Sequence, residues 1–199
     1  MFKVARRWRF FEELLIKIGE TECFQRRKPL ERALYLSMAL NKWMSPEQAL
    51  MKAKHYCAYQ ERCHSEVKEK LYSFGLFKQQ VEQCLAQLIE EGYLNEERFA
   101  KQYAGGKFRI KHWGRVKIRH SLQQKQVSEY CIKKGMKEID EQDYENTLHK
   151  LAEEKWVSEK SENNLFTKLR KTQDYLLQKG FEIDLIKTAL QALQKEKNQ

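Results

Sequence analysis

Lys101, Lys107, Arg109, Lys111, Arg115, Lys117, Arg119, Lys125, Lys133 and Lys134 share one stretch of chain with a single acid, Glu129. Ten cations less one carboxylate give this stretch +9 of the chain's formal +10, so the rest of the chain nearly balances, at 28 basic residues (38 less 10) against 27 acidic (28 less 1). Ammonium and guanidinium groups gathered in this way bind anions, either phosphates or the carboxylates of an acidic protein. The plainer alternative is a solvated helix face, but solubility is more commonly served by mixed signs. Within the pairs Lys107/Lys111 and Arg115/Arg119 the spacing is four, which aligns each pair on one face of a helix. Lys107, Arg109, Lys111, Arg115, Lys117 and Arg119 are therefore the expected partner- or anion-binding residues. Tyr103, Phe108 and Trp113 interleave them, a pattern that either stacks bases or packs a core. Trp113, beside Gly114 at a helix junction, favours the core.

Other chemistries find little support. Gly106-Lys107 has neither the glycine five residues before Gly106 (Lys101 stands there) nor a Ser or Thr after the lysine (Phe108 does), so it is no phosphate loop. Gly105-Gly106 reads as a helix break or kink. His55, Cys57, Cys63 and His64 include zinc-binding residue types, but His55 and Cys57 point to different sides of a helix and no Cys-x-x-Cys pair occurs. His112 and His120 lie in the basic stretch and are expected to meet solvent or an anion. No Ser-His-Asp spacing emerges, and the carboxylate pairs Glu90-Glu91 and Glu96-Glu97 fall at helix ends, where capping accounts for them. The expectation is a protein that is not an enzyme and uses no cofactor or metal.

Composition agrees with helical, solvent-laced structure: 41% hydrophobic, 33% charged, two prolines and eight glycines. Apolar positions Val81, Cys84, Leu85, Leu88 and Ile89 step by three and four, and Gly92 suits the left-handed position after a helix. Ser65 is expected to cap a helix through Leu71 and Tyr72 that ends at Gly75. Asn95 caps a helix through Phe99 and Tyr103, and Ser128 caps another. Ser45-Pro46-Glu47 is a helix start with proline at the first helical position. No run of 18 apolar residues exists, and the five cysteines, odd in number and scattered, read as free thiols in a reducing cytoplasm. Arg6-Arg7-Trp8-Arg9-Phe10-Phe11 is followed by Glu12, Glu13, Lys17 and Glu20, which argues against an export signal. The expected location is the cytoplasm, with no membrane partner.

Leu71, Gly75, Leu76, Val81 and Leu85 share their offsets with Leu122, Gln126, Val127, Ile132 and Met136, and with Leu176, Gly180, Phe181, Ile186 and Leu190. The fold class expected is all-α: about three tandem three-helix repeats in an elongated, curved array. The expected divisions are a basic N-terminal extension over 1–45, an N-terminal helix with the first repeat over 46–112, a second repeat over 113–160, and a third over 161–199. The polar end from Gln194 onward is expected to fray. Met38 and Met44 are alternative starts, and the extension could be a basic arm or a membrane-touching helix.

Four motifs, in order, resemble the RecX family of recombination regulators. They are Cys63-His64-Ser65-Glu66-Val67-x-x-Lys70-Leu71; Glu91-Gly92-Tyr93-Leu94-Asn95-Glu96-Glu97-Arg98-Phe99-Ala100; Gly114-Arg115-x-Lys117-Ile118-Arg119-x-x-Leu122; and Leu176-Leu177-x-Lys179-Gly180-Phe181. The resemblance spans about residues 46–195. The family has two aspartates where Asn95-Glu96 stand and glycine where Gln126 stands, and residues 1–45 have no counterpart in it. It implies a regulator that binds the RecA-type recombinase filament on DNA and mostly inhibits its ATPase and strand exchange; the chain is expected to be a monomer. The alternative is a free-standing basic module that binds nucleic acid directly through its phosphates.

Overall fold

The computed structural model of the chain describes residues 44–159 and 164–197. Residues 1–43 of the expected N-terminal extension, Arg6-Arg7-Trp8-Arg9 among them, lie outside the described residues. Those described form nine helices and no strand: α1 Pro46–Tyr59, α2 His64–Ser73, α3 Lys78–Glu90, α4 Glu96–Lys111, α5 Arg115–Gln124, α6 Glu129–Met136, α7 Glu141–Ser158, α8 Leu165–Lys179 and α9 Ile183–Lys197.

The helices begin where short polar side chains can hold free amides. Ser45 and Gln48 form a reciprocal capping box ahead of Pro46. Asn95, Ser128 and Asp140 each accept from an amide three residues on. The turns after α2, α3 and α8 place Gly75, Gly92 and Gly180 at positive φ. The corresponding turn after α5 is left-handed too, with Gln126 at φ 60°. Glutamine therefore adopts the conformation that glycine takes in the other copies, and carries the steric cost of doing so.

Helices of eight to eighteen residues are marginal alone, so each relies on packing. They pack pairwise in threes: α1–α3, α4–α6 and α7–α9. The first group has its own core, from Ala49 and Ala53 through Val67, Leu71, Val81 and Leu88 to Leu94. The other two share a second core that runs from Phe99 to Leu193 and includes Cys63 from the first group. This grouping is one helix out of step with the 46–112 and 113–160 divisions read from the sequence. The buried face of α4, Phe99, Ala100, Ala104 and Phe108, packs with α5 and α6. Close approach drives the choice: a Cβ on Gly135 of α6 would lie 2.7 Å from the Ala100 carbonyl oxygen of α4.

Three local expectations are corrected. Ser65 is not a cap; α2 starts at His64 after Cys63, and the Ser65 hydroxyl donates to the Lys125 carbonyl of the next unit at 2.8 Å. Gly105 and Gly106 do not break α4, which continues to Lys111 with the Arg109 guanidinium folded over Gly105. The last helix continues past Gln194 to Lys197.

The two joints between units differ. The first is made by side chains: Ser65 on the Lys125 carbonyl, Lys125 on Glu66, Arg98 on Glu61, and His64 at 3.7 Å from Glu96. The second includes backbone bonds. The Gly114 and Val116 amides donate to the Lys179 and Gly180 carbonyls at 2.8 and 3.1 Å. The free amides at the start of α5 thus meet carbonyls at the end of α8, each helix completing the other.

Candidate anion-binding surface

The basic stretch folds into α4, the turn at His112 to Gly114, and α5. On α4, Tyr103, Lys107 and Ile110 follow at intervals of four and three, so they lie along one side. On α5, Lys117, Ser121 and the following Lys125 do the same. The two rows meet, with the Tyr103 hydroxyl 2.6 Å from the Ser121 hydroxyl. His112, at φ 52°, reverses the chain between them.

The six expected residues divide by what they touch. The Lys107 ammonium lies 5.1 Å from the Tyr103 ring centre and 5.0 Å from that of Trp113. Lys117 lies 4.8 Å from the same indole and donates to the Gln178 carbonyl at 2.9 Å. Arg115 donates both arms of its guanidinium to Glu141, at 3.0 and 2.6 Å, and stacks 4.2 Å from the Tyr144 ring. These three are half-buried and engaged within the protein. Arg109, Lys111 and Arg119 are exposed, with Arg119 only loosely near Glu129 at 3.9 Å. A spacing of four therefore does not make equivalent cations: Lys107 and Arg115 hold the fold, while their partners Lys111 and Arg119 face outward.

Electrostatics follow the geometry. The Glu141 bonds hold Arg115 in its charged form, and the same bonds lower the Glu141 carboxyl. Burial pushes Tyr144 far up, helped by its hydroxyl donating to Glu182 at 2.5 Å while accepting from the Arg115 amide at 3.0 Å. Lys125 is buried enough to disfavour its charge, but the Glu66 hydrogen bond overrides this and raises it. Glu96 is pushed up by burial and brought net below its ordinary value by the Ser128 hydroxyl and amide.

Trp113 packs against the second core on one side, with Tyr103 beside it. Their ring faces carry ammonium groups, including Lys125 at 5.8 Å from Tyr103. Ile110 and Lys125 did not stand out in the sequence as members of this surface; the periodicity through Tyr103 and Lys107 was the available signal for Ile110. His55 is exposed, Cys57 and Cys63 are buried, and among the described residues no group of three His, Cys, Asp or Glu could hold a metal ion. No helix among them is long and apolar enough to cross a membrane.

Two family patterns match the chain: the RecX second three-helix domain over residues 95–136 and the RecX third three-helix domain over 142–190. These spans follow the packing groups α4–α6 and α7–α9. The chain is 30% identical over 133 residues to Regulatory protein RecX of Clostridium perfringens (strain 13 / Type A), covering 66% of this chain and 62% of that protein. It is 28% identical over 152 residues to Regulatory protein RecX of Bacillus cytotoxicus, covering 76% of this chain and 56% of the relative. The matched part is thus less than two thirds of either relative's length. Among solved structures, RecX from Lactobacillus salivarius superposes with a TM-score of 0.68 at 23% identity, over 75% of this chain and 96% of that one. A second, described as regulatory protein RecX, gives 0.66 at 20% identity over 89% and 84%. These likenesses show the all-α helical-repeat fold, and with the sequence matches they show that the chain belongs to the RecX family.

Proposed function

We propose that this chain is a non-catalytic regulator that binds the RecA-type recombinase filament on DNA and restrains its ATP turnover and strand exchange. Family membership supports the regulatory role. The observation that carries the binding surface is the absence of any acid between Glu97 and Glu129, over a stretch that folds into one pair of packed helices. Arg109, Lys111 and Arg119 are its outward cations, while Lys107, Arg115 and Lys117 are engaged with neighbouring rings, a carboxylate and a carbonyl. The chain acts in the cytoplasm as a monomer, its helical units following one another as an elongated, curved array along the filament.

The test is affinity for bare single-stranded DNA and for recombinase-coated DNA at matched salt. The proposal expects strong preference for the coated form together with inhibition of its ATPase. Equal or tighter binding to bare DNA would replace it with a free-standing nucleic-acid module. Such a module neutralising about five phosphates would show a log–log salt slope near −3.5.

A further inference from the structure

We infer that the second unit docks on a protein surface, with Ile110 entering an apolar recess bordered by carboxylates, and not on the DNA backbone. This rests on the proposed filament-binding role and names which component of the filament the surface meets. Ile110 is 75% exposed in the last turn of α4, and Val116 is 55% exposed in the first turn of α5. A lone exposed aliphatic is ordinary. Here the two flank a single turn, and Arg109, Lys111 and Arg119 stand exposed beside them. Neither serves the fold's own core, which Phe108 and Ile118 fill from the same two helices.

A phosphate backbone would use the cations but has nothing to place against Ile110. Nucleic acid could exploit the surface further only by stacking bases on Tyr103 or Trp113. Those rings pack inward on the second core, and Lys107, Lys117 and Lys125 lie over them. What the surface offers is exposed aliphatic carbon with exposed cations within a helical turn of it on the same two helices. Its complement is an apolar centre with a negative rim, which is the anatomy of a protein interface.

The experiment compares wild type, Ile110→Ser and Ile110→Leu for binding to the cognate recombinase filament, formed on single-stranded DNA with a non-hydrolysable ATP analogue, and to bare single-stranded DNA at the same salt. Circular dichroism verifies that each variant is folded. Loss of one anchored aliphatic side chain should weaken filament binding by about tenfold to a hundredfold in Ile110→Ser. Ile110→Leu should retain most of the affinity, and bare-DNA binding should be the same in all three. Ile110→Ser binding the filament as tightly as wild type overturns the anchor while leaving filament binding intact. An equal loss on bare DNA overturns it in favour of a nucleic-acid contact. A wild-type chain with no affinity for the filament overturns the proposed function, and the anchor with it.

Discussion

Gly114→Ala should disrupt the joint between the second and third units. Gly114 has φ −73°, which any residue can adopt, so its requirement is for space. A Cβ there would lie 2.1 Å from the Gly180 oxygen, 2.2 Å from its carbonyl carbon and 2.4 Å from the Phe181 nitrogen. All three are backbone atoms, so no side chain can swing aside. The two segments must separate, straining the bonds from the Gly114 and Val116 amides to Lys179 and Gly180. Overpacking costs about 1–3 kcal/mol, and each net hydrogen bond contributes about 0.5–1.5 kcal/mol. Together these predict a loss of about 2–6 kcal/mol, a large share of the roughly 5–15 kcal/mol that holds a typical domain. Gly106→Ala is the matched control. A Cβ at Gly106 meets nothing within 4 Å, so alanine should stabilise α4 by about 0.5–1 kcal/mol through helix propensity. Urea unfolding followed by circular dichroism at 222 nm reads both midpoints. Equal midpoints for Gly114→Ala and wild type would refute the close-approach argument.

Three further outcomes use the same unfolding assay. Gln126→Gly, at φ 60°, should raise stability by about 0.5–1 kcal/mol, the relieved left-handed strain exceeding the extra entropy of an unfolded glycine; a lower midpoint would count against it. Tyr144→Phe removes the hydroxyl that accepts from the Arg115 amide and donates to Glu182, and should cost about 1–3 kcal/mol; a neutral result would mean that water replaces it. Glu96 and Glu141 have folded values below their ordinary 4.5, so the stability they confer is present above that value and lost as pH falls through the lower folded values. Glu96→Gln should flatten that acid-side decline in midpoint, and an unchanged pH profile would argue against it.

The helix boundaries were legible because their signals are local. Ser45, Asn95 and Ser128 reach amides three residues away, and Gly92 and Gly180 adopt the backbone that follows a helix. Ser65 misled because a hydroxyl next to a helix start satisfies the capping pattern, whereas its actual acceptor is 60 residues away in sequence. The grouping into units was hidden for a related reason. Apolar offsets mark which face of α4 is buried but not which helices bury it, and the decisive contact joins Gly135 to Ala100. At the surface, the concentration of charge was plain. The division of labour was not: Arg115 finds Glu141 at a separation of 26 residues and Lys117 finds the Gln178 carbonyl at 61. The spacing of four could not distinguish cations tied to the fold from those facing outward.

The most direct measurement is inhibition of the recombinase ATPase by a chain in which Arg109, Lys111 and Arg119 are all replaced by Glu. These side chains are exposed and the replacements leave both cores intact, so the unfolding midpoint should stay close to wild type. Inhibition should then be abolished. A folded triple variant that inhibits as well as wild type would contradict the assignment of this surface to the filament.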